Sequence, residues 1–90
     1  MIGQTEVVLR ICDMLASAGA KVDGVELSSD EVFKYRHTKT VLNLLGDWSD
    51  IDTFVTDVEN EYGVLFIDRE VRSYKNVWQF MLAVHQKVLL

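Results

Sequence analysis

The chain has 90 residues, a formal net charge of −5, no proline, and is 49% hydrophobic and 26% charged. This length supports a single domain over residues 1–90, and the composition excludes a disordered or collagen-like chain. Its uncharged apolar runs are far shorter than the roughly 20 residues that cross a membrane, so we expect no membrane span.

The first residues and the cysteine content bear on the compartment. No apolar stretch or basic flank precedes Glu6, so the sequence predicts no secretory signal peptide. Cys12 is the only cysteine and cannot form an internal disulfide. We therefore expect a cytoplasmic protein in a reducing environment.

The charge is segregated along the chain. Residues 47–61 contain six acidic residues and no Lys or Arg. The negative electrostatic field of this segment repels phosphate backbones and attracts basic protein surfaces, so nucleic acid is not an expected partner. A basic cluster of Lys34, Arg36, His37 and Lys39 is interpreted as a solvated helix face or as a site for an acidic surface, including the acidic stretch itself.

The hydrophobic period predicts an all-α domain, because apolar residues recur every three or four positions and no strand-like alternation persists. The first helix is predicted over residues 5–18 and stops at Gly19. Its buried stripe lies near Cys12. A loop is predicted over residues 21–27.

A second helical segment is predicted over residues 30–45. Ser28 and Glu31 before it have the spacing of a capping box. Thr38 and Thr40 weaken its middle, so the segment is interpreted as one helix or as two pieces.

An acidic helix is predicted over residues 50–62, with Ser49 as its N-cap. Its outer face then carries Asp50, Asp57 and Glu61, which displays negative charge on the surface of one helix. Asp68 is predicted to cap a brief turn after this helix.

The last helix is predicted to begin at Asn76, with Gln79 three residues later as capping partner. Trp78, Phe80 and Met81 follow in a window that cannot be buried entirely on a single helix face. At least one of these side chains is left for a partner, so self-association as a homodimer is a hypothesis.

Catalytic and metal sites are not predicted. Cys12 matches no nucleophile motif with His37 or His85, and it lies on the predicted inner stripe. A zinc site needs about four clustered ligands. The aspartates of residues 47–52 lack the Gly and Glu spacing of an EF-hand calcium loop.

The acidic helix and the residues that follow it carry a resemblance. Residues 54–64 read FVTDVENEYGV, followed by Phe66, Asp68 and Glu70 and later by Asn76-Val77. From Ile51 onward these residues resemble the acyl carrier protein family. The resemblance implies a small four-helix bundle, here with a longer first loop or an extra helical segment. It also implies a 4'-phosphopantetheine arm on a serine that starts the acidic helix, within an Asp-Ser-Leu motif.

Two registers give two candidates for the attachment position. Counting back from Glu59 without a gap places Trp48 there, and Trp cannot carry the arm. Counting forward from Leu45-Gly46 places Ser49 there, with one residue deleted from the start of the helix. Ser49 is therefore either the cofactor-binding residue or an ordinary N-cap, and Trp48 is either a partner contact or a core residue.

The resemblance implies a protein that is not an enzyme by itself. As a working carrier, it passes a thioester-bound acyl, aminoacyl or polyketide group among enzymes. Its partners are then a phosphopantetheinyl transferase and acyl-handling enzymes with basic patches, contacted through Asp50, Asp57, Glu61 and Trp48. The alternative is a degenerate, unmodified carrier fold that acts as a protein interaction or dimerisation module. A third hypothesis is a small helical adaptor or dimerisation module unrelated to carriers, which the absence of a short helix around residues 68–74 would favour.

Overall fold

A computed structural model describes residues 2–90 and shows a mostly helical, compact domain. Within these residues there are six helices and one two-stranded antiparallel sheet. The prediction of a small helical domain is confirmed at this level. In chain order the elements are α1 Gln4–Ser17, β1 Lys21–Val22, β2 Val25–Glu26, α2 Ser29–Tyr35, α3 Val41–Leu45, α4 Trp48–Tyr62, α5 Asp68–Ser73 and α6 Val77–Leu89.

Helix α1 lies where the sequence predicts it, to within one residue at each end. It ends because Gly19 adopts a φ of +93°, a conformation that a side chain disfavours. The amide of Gly19 donates to the Ala16 carbonyl, and that of Ala20 donates to the Leu15 carbonyl. These two bonds form a Schellman motif, which satisfies the last carbonyls of the helix.

The predicted loop over residues 21–27 contains a β-hairpin instead. Lys21 pairs with Glu26 and Val22 pairs with Val25. Asp23 and Gly24 both have positive φ, at 52° and 77°. An Asp-Gly pair in this conformation forms the tight turn that matches the twist of two antiparallel strands. The dipeptide is therefore the signal that the loop prediction overlooked.

The second helical segment is two helices. The capping box before α2 is confirmed, with the Glu31 amide 3.2 Å from Ser28 Oγ and the Ser28 amide 3.0 Å from Glu31 Oε1. Helix α3 has a capping box of its own, in which Thr40 and Asn43 exchange equivalent bonds. Helix α2 ends at Tyr35, and Thr40, whose backbone is extended, caps the start of α3.

The prediction that Ser49 caps α4 is wrong. The helix starts at Trp48, and the Asp50 amide donates to Oδ1 of Asp47 at 2.9 Å. Asp47 has the extended backbone that an N-cap requires, with φ −145° and ψ 160°. Asp and Ser are equally good capping residues, and here Asp47 makes the capping bond, so the helix starts before Ser49. Ser49 is the second helical residue.

The prediction that Asp68 caps the next turn is also wrong, because Asp68 is the first residue of α5 and Ile67 precedes it without a side-chain cap. Asn76 does cap α6, and its Oδ1 accepts a hydrogen bond from the Gln79 amide at 2.8 Å. The start of the last helix is therefore confirmed.

The segment between α2 and α3 holds the beginning of α6. The amide of Val77 donates to the Lys39 carbonyl at 2.8 Å, and the amide of Trp78 donates to the Arg36 carbonyl at 2.8 Å. The first amides of a helix have no partner within the helix, so these bonds satisfy donors that would otherwise be free. The basic segment of residues 36–39 thus supplies backbone carbonyls that hold the start of α6 in place.

The core is formed by α1, α4 and α6 with the shorter helices around them. Phe54 of α4 and Phe80 of α6 are 1% and 0% exposed, and their ring centroids lie 5.5 Å apart. Burying one such side chain contributes roughly 1.5–3 kcal/mol. Four residues of α6 are buried, namely Val77, Phe80, Met81 and Val84, and Val88 is partly buried.

Candidate functional site

The exposed flank of α4 that faces α1 carries three acidic side chains, Asp50, Asp57 and Glu61, here called the acidic face. They recur at spacings of seven and four residues, which places them on one side of a helix. All three are exposed, as the sequence predicts. Four apolar residues of α4 fix this orientation by pointing into the core, namely Ile51, Phe54, Val55 and Val58.

The other acidic residues of α4 point elsewhere. Asp52 is exposed, but a helix turns by about 100° per residue, so it lies on the opposite flank from Asp50. Glu59 lies on that same flank, and its Oε2 accepts a hydrogen bond from the Phe66 amide at 2.8 Å. Asp52 is therefore outside the acidic face although it has the same charge and lies in the same helix.

A surface groove of about 320 Å³ lies between the acidic face and α1. Asp50 and Asp57 line it on one side, and Arg10 and Met14 line it on the other. Met14 is only partly buried, so the groove offers an apolar side chain beside two carboxylates. This combination suits a partner side chain that has an apolar stem and a cationic end, such as Lys or Arg.

One member of the acidic face is paired within the chain. Arg10 Nη2 lies 2.6 Å from Oε1 of Glu61, and this hydrogen bond and charge raise the pKa of the Arg10 guanidinium. Both side chains are largely exposed, so solvent screens the pair. Asp50 and Asp57 form no ion pair with any residue in 2–90. They are the carboxylates that remain for a partner.

Trp48 lies at the first position of α4, partly buried against the core. The Arg72 guanidinium carbon stands 3.8 Å from its ring centroid, which is a cation–π contact between α4 and α5. The ring also lines a groove of about 250 Å³ with Leu42, Ile51 and Tyr74. Trp48 is therefore partly a packing residue and partly a surface residue.

Ser49 is exposed in the first turn of α4, one residue after the helix begins. Free amides and the positive end of the dipole favour an anion at such a terminus. Here Asp47 already caps the helix, and Asp50 adds a second carboxylate in the same turn. Two neighbouring negative charges repel a phosphodiester, so this terminus is a poorer anion site than an uncharged one.

The sulfur and imidazole groups do not meet in one site. Cys12 is 1% exposed, and burial raises the pKa of its thiol to about 11, which keeps it protonated near neutral pH. His37 packs against Trp78, and Nε2 of His85 lies 3.3 Å from the Ile2 carbonyl oxygen. In residues 2–90 no three His, Cys, Asp or Glu side chains are grouped to hold a metal ion.

A second candidate interaction surface could be predicted only in part from the sequence. It comprises Leu9, Phe33, Arg36, His37 and Trp78, here called the Trp78 face. The Arg36 guanidinium carbon lies 3.7 Å from the Phe33 ring centroid and 5.5 Å from the Trp78 ring. The basic cluster was recognisable from composition, but its contact with Trp78, more than 40 residues away, depends on the fold.

Comparisons with known proteins add no assignment, since no protein-family model, curated protein sequence or solved structure matches the chain. Within the described residues, no helix combines the length and apolar character needed to cross a membrane.

Proposed function

We propose that the chain is a small interaction module of carrier-protein architecture, which docks onto basic surfaces of other proteins through the acidic face of α4. It is not an enzyme by itself. The observation that carries this proposal is the pair Asp50 and Asp57, which are exposed, lie on one side of a helix and have no ion-pair partner within residues 2–90. Such a patch speeds and orients encounters with cationic partners.

The order of helices supports the carrier-protein architecture. Three long helices, α1, α4 and α6, each have 13 to 15 residues, and the short α5 lies between the last two. Helix α5 is present over Asp68–Ser73, whereas its absence would have favoured the unrelated helical adaptor. Helices α2 and α3 lie between α1 and α4, in the part of the chain where the resemblance implies a longer first loop or an extra helical segment.

The start of α4 favours the unmodified form. The helix begins at Trp48, so the gapless register, in which Trp48 occupies the attachment position, needs no deletion in the helix. Trp48 has no hydroxyl, and the carboxylates of Asp47 and Asp50 occupy the same terminus. These features favour a module that works through contact alone.

Affinity capture tests the docking role. Three versions of this chain are immobilised, and the proteins that each version retains from a mixture are compared. The wild type is compared with Asp57→Lys, which reverses a charge on the acidic face, and with Asp52→Lys, which reverses the same charge on the other flank of α4. We expect the wild type and Asp52→Lys to retain proteins whose binding weakens as the salt concentration rises. Asp57→Lys should not retain them. Identical retention by all three would contradict the proposal.

The second candidate function is a working carrier with 4'-phosphopantetheine on Ser49. Its support is the exposed position of Ser49 in the first turn of the helix. The test is the intact mass after incubation with coenzyme A and a broad-specificity phosphopantetheinyl transferase, with Ser49→Ala as control. A mass gain of one arm that disappears in the control would establish the carrier. No gain, with a known carrier modified in the same tube, would exclude this arm.

A further inference from the structure

We infer that the Trp78 face of one copy of this chain binds the acidic face of a second copy, so that copies associate head to tail. The inference rests on the proposed function, because it names one basic surface that the acidic face can dock onto.

The Trp78 face has the composition of a protein contact. A groove of about 280 Å³ is lined by Leu9, Phe33, Arg36 and Trp78. Leu9 is 53% exposed, although it is a large aliphatic side chain. Trp and Arg are the residues most enriched where truncation costs the most binding energy, and apolar patches around them mark interaction sites.

Arg36 lacks a carboxylate partner within residues 2–90. One of its terminal nitrogens, Nη1, donates to the Phe33 carbonyl at 2.8 Å, but Nε is buried and makes no hydrogen bond. Neither ion pair of the described residues includes Arg36. Because Nε is buried, an incoming carboxylate pairs with the charge of the half-buried guanidinium and not with this nitrogen.

The two faces lie on different sides of α1. Arg10 and Met14 border the acidic groove, whereas Val8 and Leu9 border the Trp78 groove. Successive helix residues are about 100° apart, so Leu9 points about 100° away from Arg10 and about 140° away from Met14. The acidic face therefore cannot reach the Trp78 face of its own copy, and the contact has to form between copies.

Charge complementarity selects the acidic face as the occupant. Residues 34–46 contain three Lys and Arg residues and no acid, and the bonds of Lys39 to Val77 and of Arg36 to Trp78 hold this segment beside the start of α6. Residues 47–61 contain six acids and no Lys or Arg. One chain thus carries both halves of a complementary contact, and patches of opposite charge steer each other into register.

A contact between two different faces is heterologous. It leaves one unused face on each end of a pair, so association continues beyond the dimer and does not stop at a closed pair unless the geometry closes a ring. This separates the inference from a symmetric homodimer, in which the same face would be used twice.

Analytical ultracentrifugation of the full chain tests the inference. At about 0.01 M salt, where charges act over about 30 Å, and protein concentrations up to about 1 mM, we expect a mass that rises above the 10.3 kDa of one chain and exceeds two chains. At about 1 M salt, where charges act over about 3 Å, we expect the single chain. A single chain at every concentration in low salt overturns the inference.

Complementation between two variants gives the sharper result. Asp57→Lys changes only the acidic face, and Leu9→Glu places a repelling carboxylate on the Trp78 face. Each variant alone is expected to raise the dissociation constant by about tenfold or more and to sediment as one chain. Their mixture retains one intact acidic face and one intact Trp78 face, so it should form complexes of at least two chains. Failure of the mixture to pair overturns the inference.

Two matched controls, checked for helical content by circular dichroism, separate surface effects from general charge effects. Asp52→Lys and Leu65→Glu make the same chemical changes away from both faces, on the far flank of α4 and on a side chain that is 80% exposed. Both should associate like the wild type. If the wild type stays a single chain while affinity capture still depends on Asp57, the head-to-tail contact fails and the proposed docking function stands.

Discussion

Arg72 covers Trp48: the guanidinium carbon of Arg72 stands 3.8 Å from the centroid of the Trp48 ring and ties the first residue of α4 to α5. Trp48 occupies the position where the family resemblance places an attachment residue in the gapless register. The contact therefore joins the candidate site to the neighbouring helix, and it can be broken without touching the acidic face.

Arg72→Ala should expose the Trp48 ring. We expect a red shift of its fluorescence, read in a Trp78→Phe background, and a loss of about 0.5–1 kcal/mol in the free energy of unfolding. Arg69→Ala is the control, because Arg69 is exposed on the same helix and contacts no aromatic ring in residues 2–90. An unchanged emission spectrum in Arg72→Ala would show that the ring is not covered in solution.

The start of α4 gives a second prediction. Asp47→Ala removes the acceptor for the Asp50 amide and should lower the free energy of unfolding by about 1 kcal/mol in urea denaturation. Ser49→Ala should change it by less than about 0.5 kcal/mol, since an exposed residue within the helix caps nothing. A larger loss in Ser49→Ala than in Asp47→Ala would restore Ser49 as the cap.

Cys12 predicts a loss of stability at alkaline pH. Burial raises the pKa of its thiol from 9.0 to about 11, so between these values the unfolded thiol loses its proton while the folded thiol keeps it. The unfolded state then binds fewer protons, and the free energy of unfolding falls as the pH rises from about 9 to about 11.

Denaturation of the wild type and of Cys12→Ala across this pH range isolates the contribution of the thiol to stability, because every other titratable group is the same in both proteins. The difference in unfolding free energy between the two proteins should change with pH above 9 and be constant below it. The folded thiol should also resist alkylation near neutral pH and react after unfolding. Parallel pH profiles for the two proteins would show that the thiol is not buried in solution.

The bonds of Glu70 predict a loss of stability at acidic pH. Burial alone would raise the pKa of Glu70, but hydrogen bonds from Lys87 and Tyr74 outweigh it and lower the pKa below its usual value. The Lys87 Nζ to Glu70 Oε2 distance is 3.1 Å, and Tyr74 Oη donates to the same oxygen at 3.0 Å. Stability from this group is present above the ordinary carboxyl pKa and is lost as the pH falls through the folded value.

Glu70→Gln keeps the shape of the side chain and removes its charge. We expect this variant to lose stability at neutral pH and to show a weaker decline in the free energy of unfolding on acidification than the wild type. Asp68→Asn, an exposed carboxylate in the same helix, is the control. An acid profile of Glu70→Gln that coincides with the wild type would contradict the role given to these bonds.

Local signals in the sequence predicted part of this structure. Ser28 with Glu31 and Asn76 with Gln79 define helix starts within four residues, so their partners can be identified without the fold. Asp47 and Ser49 are both good capping residues two positions apart, and local preference does not choose between them. The Asp23-Gly24 hairpin was also a local signal, but its strands are only two residues long and lack an alternating pattern.

The candidate site, too, was only partly predictable from the sequence. The exposure of Asp50, Asp57 and Glu61 followed from helical spacing alone. The pairing of Arg10 with Glu61, 51 positions apart, and the stacking of Arg36 on Trp78 depend on how α1, α2, α4 and α6 pack together. No pattern within a single segment encodes such contacts, so the sequence could not assign which carboxylates remain for a partner.

The most direct test of the central claim uses a purified partner retained in the affinity capture. Its dissociation constant is measured by calorimetry against the wild type, Asp57→Lys and Asp52→Lys. We expect binding to Asp57→Lys to weaken by about tenfold or more and to lose most of its salt dependence, while Asp52→Lys stays close to the wild type. Equal affinities of Asp57→Lys and Asp52→Lys would contradict docking through the acidic face.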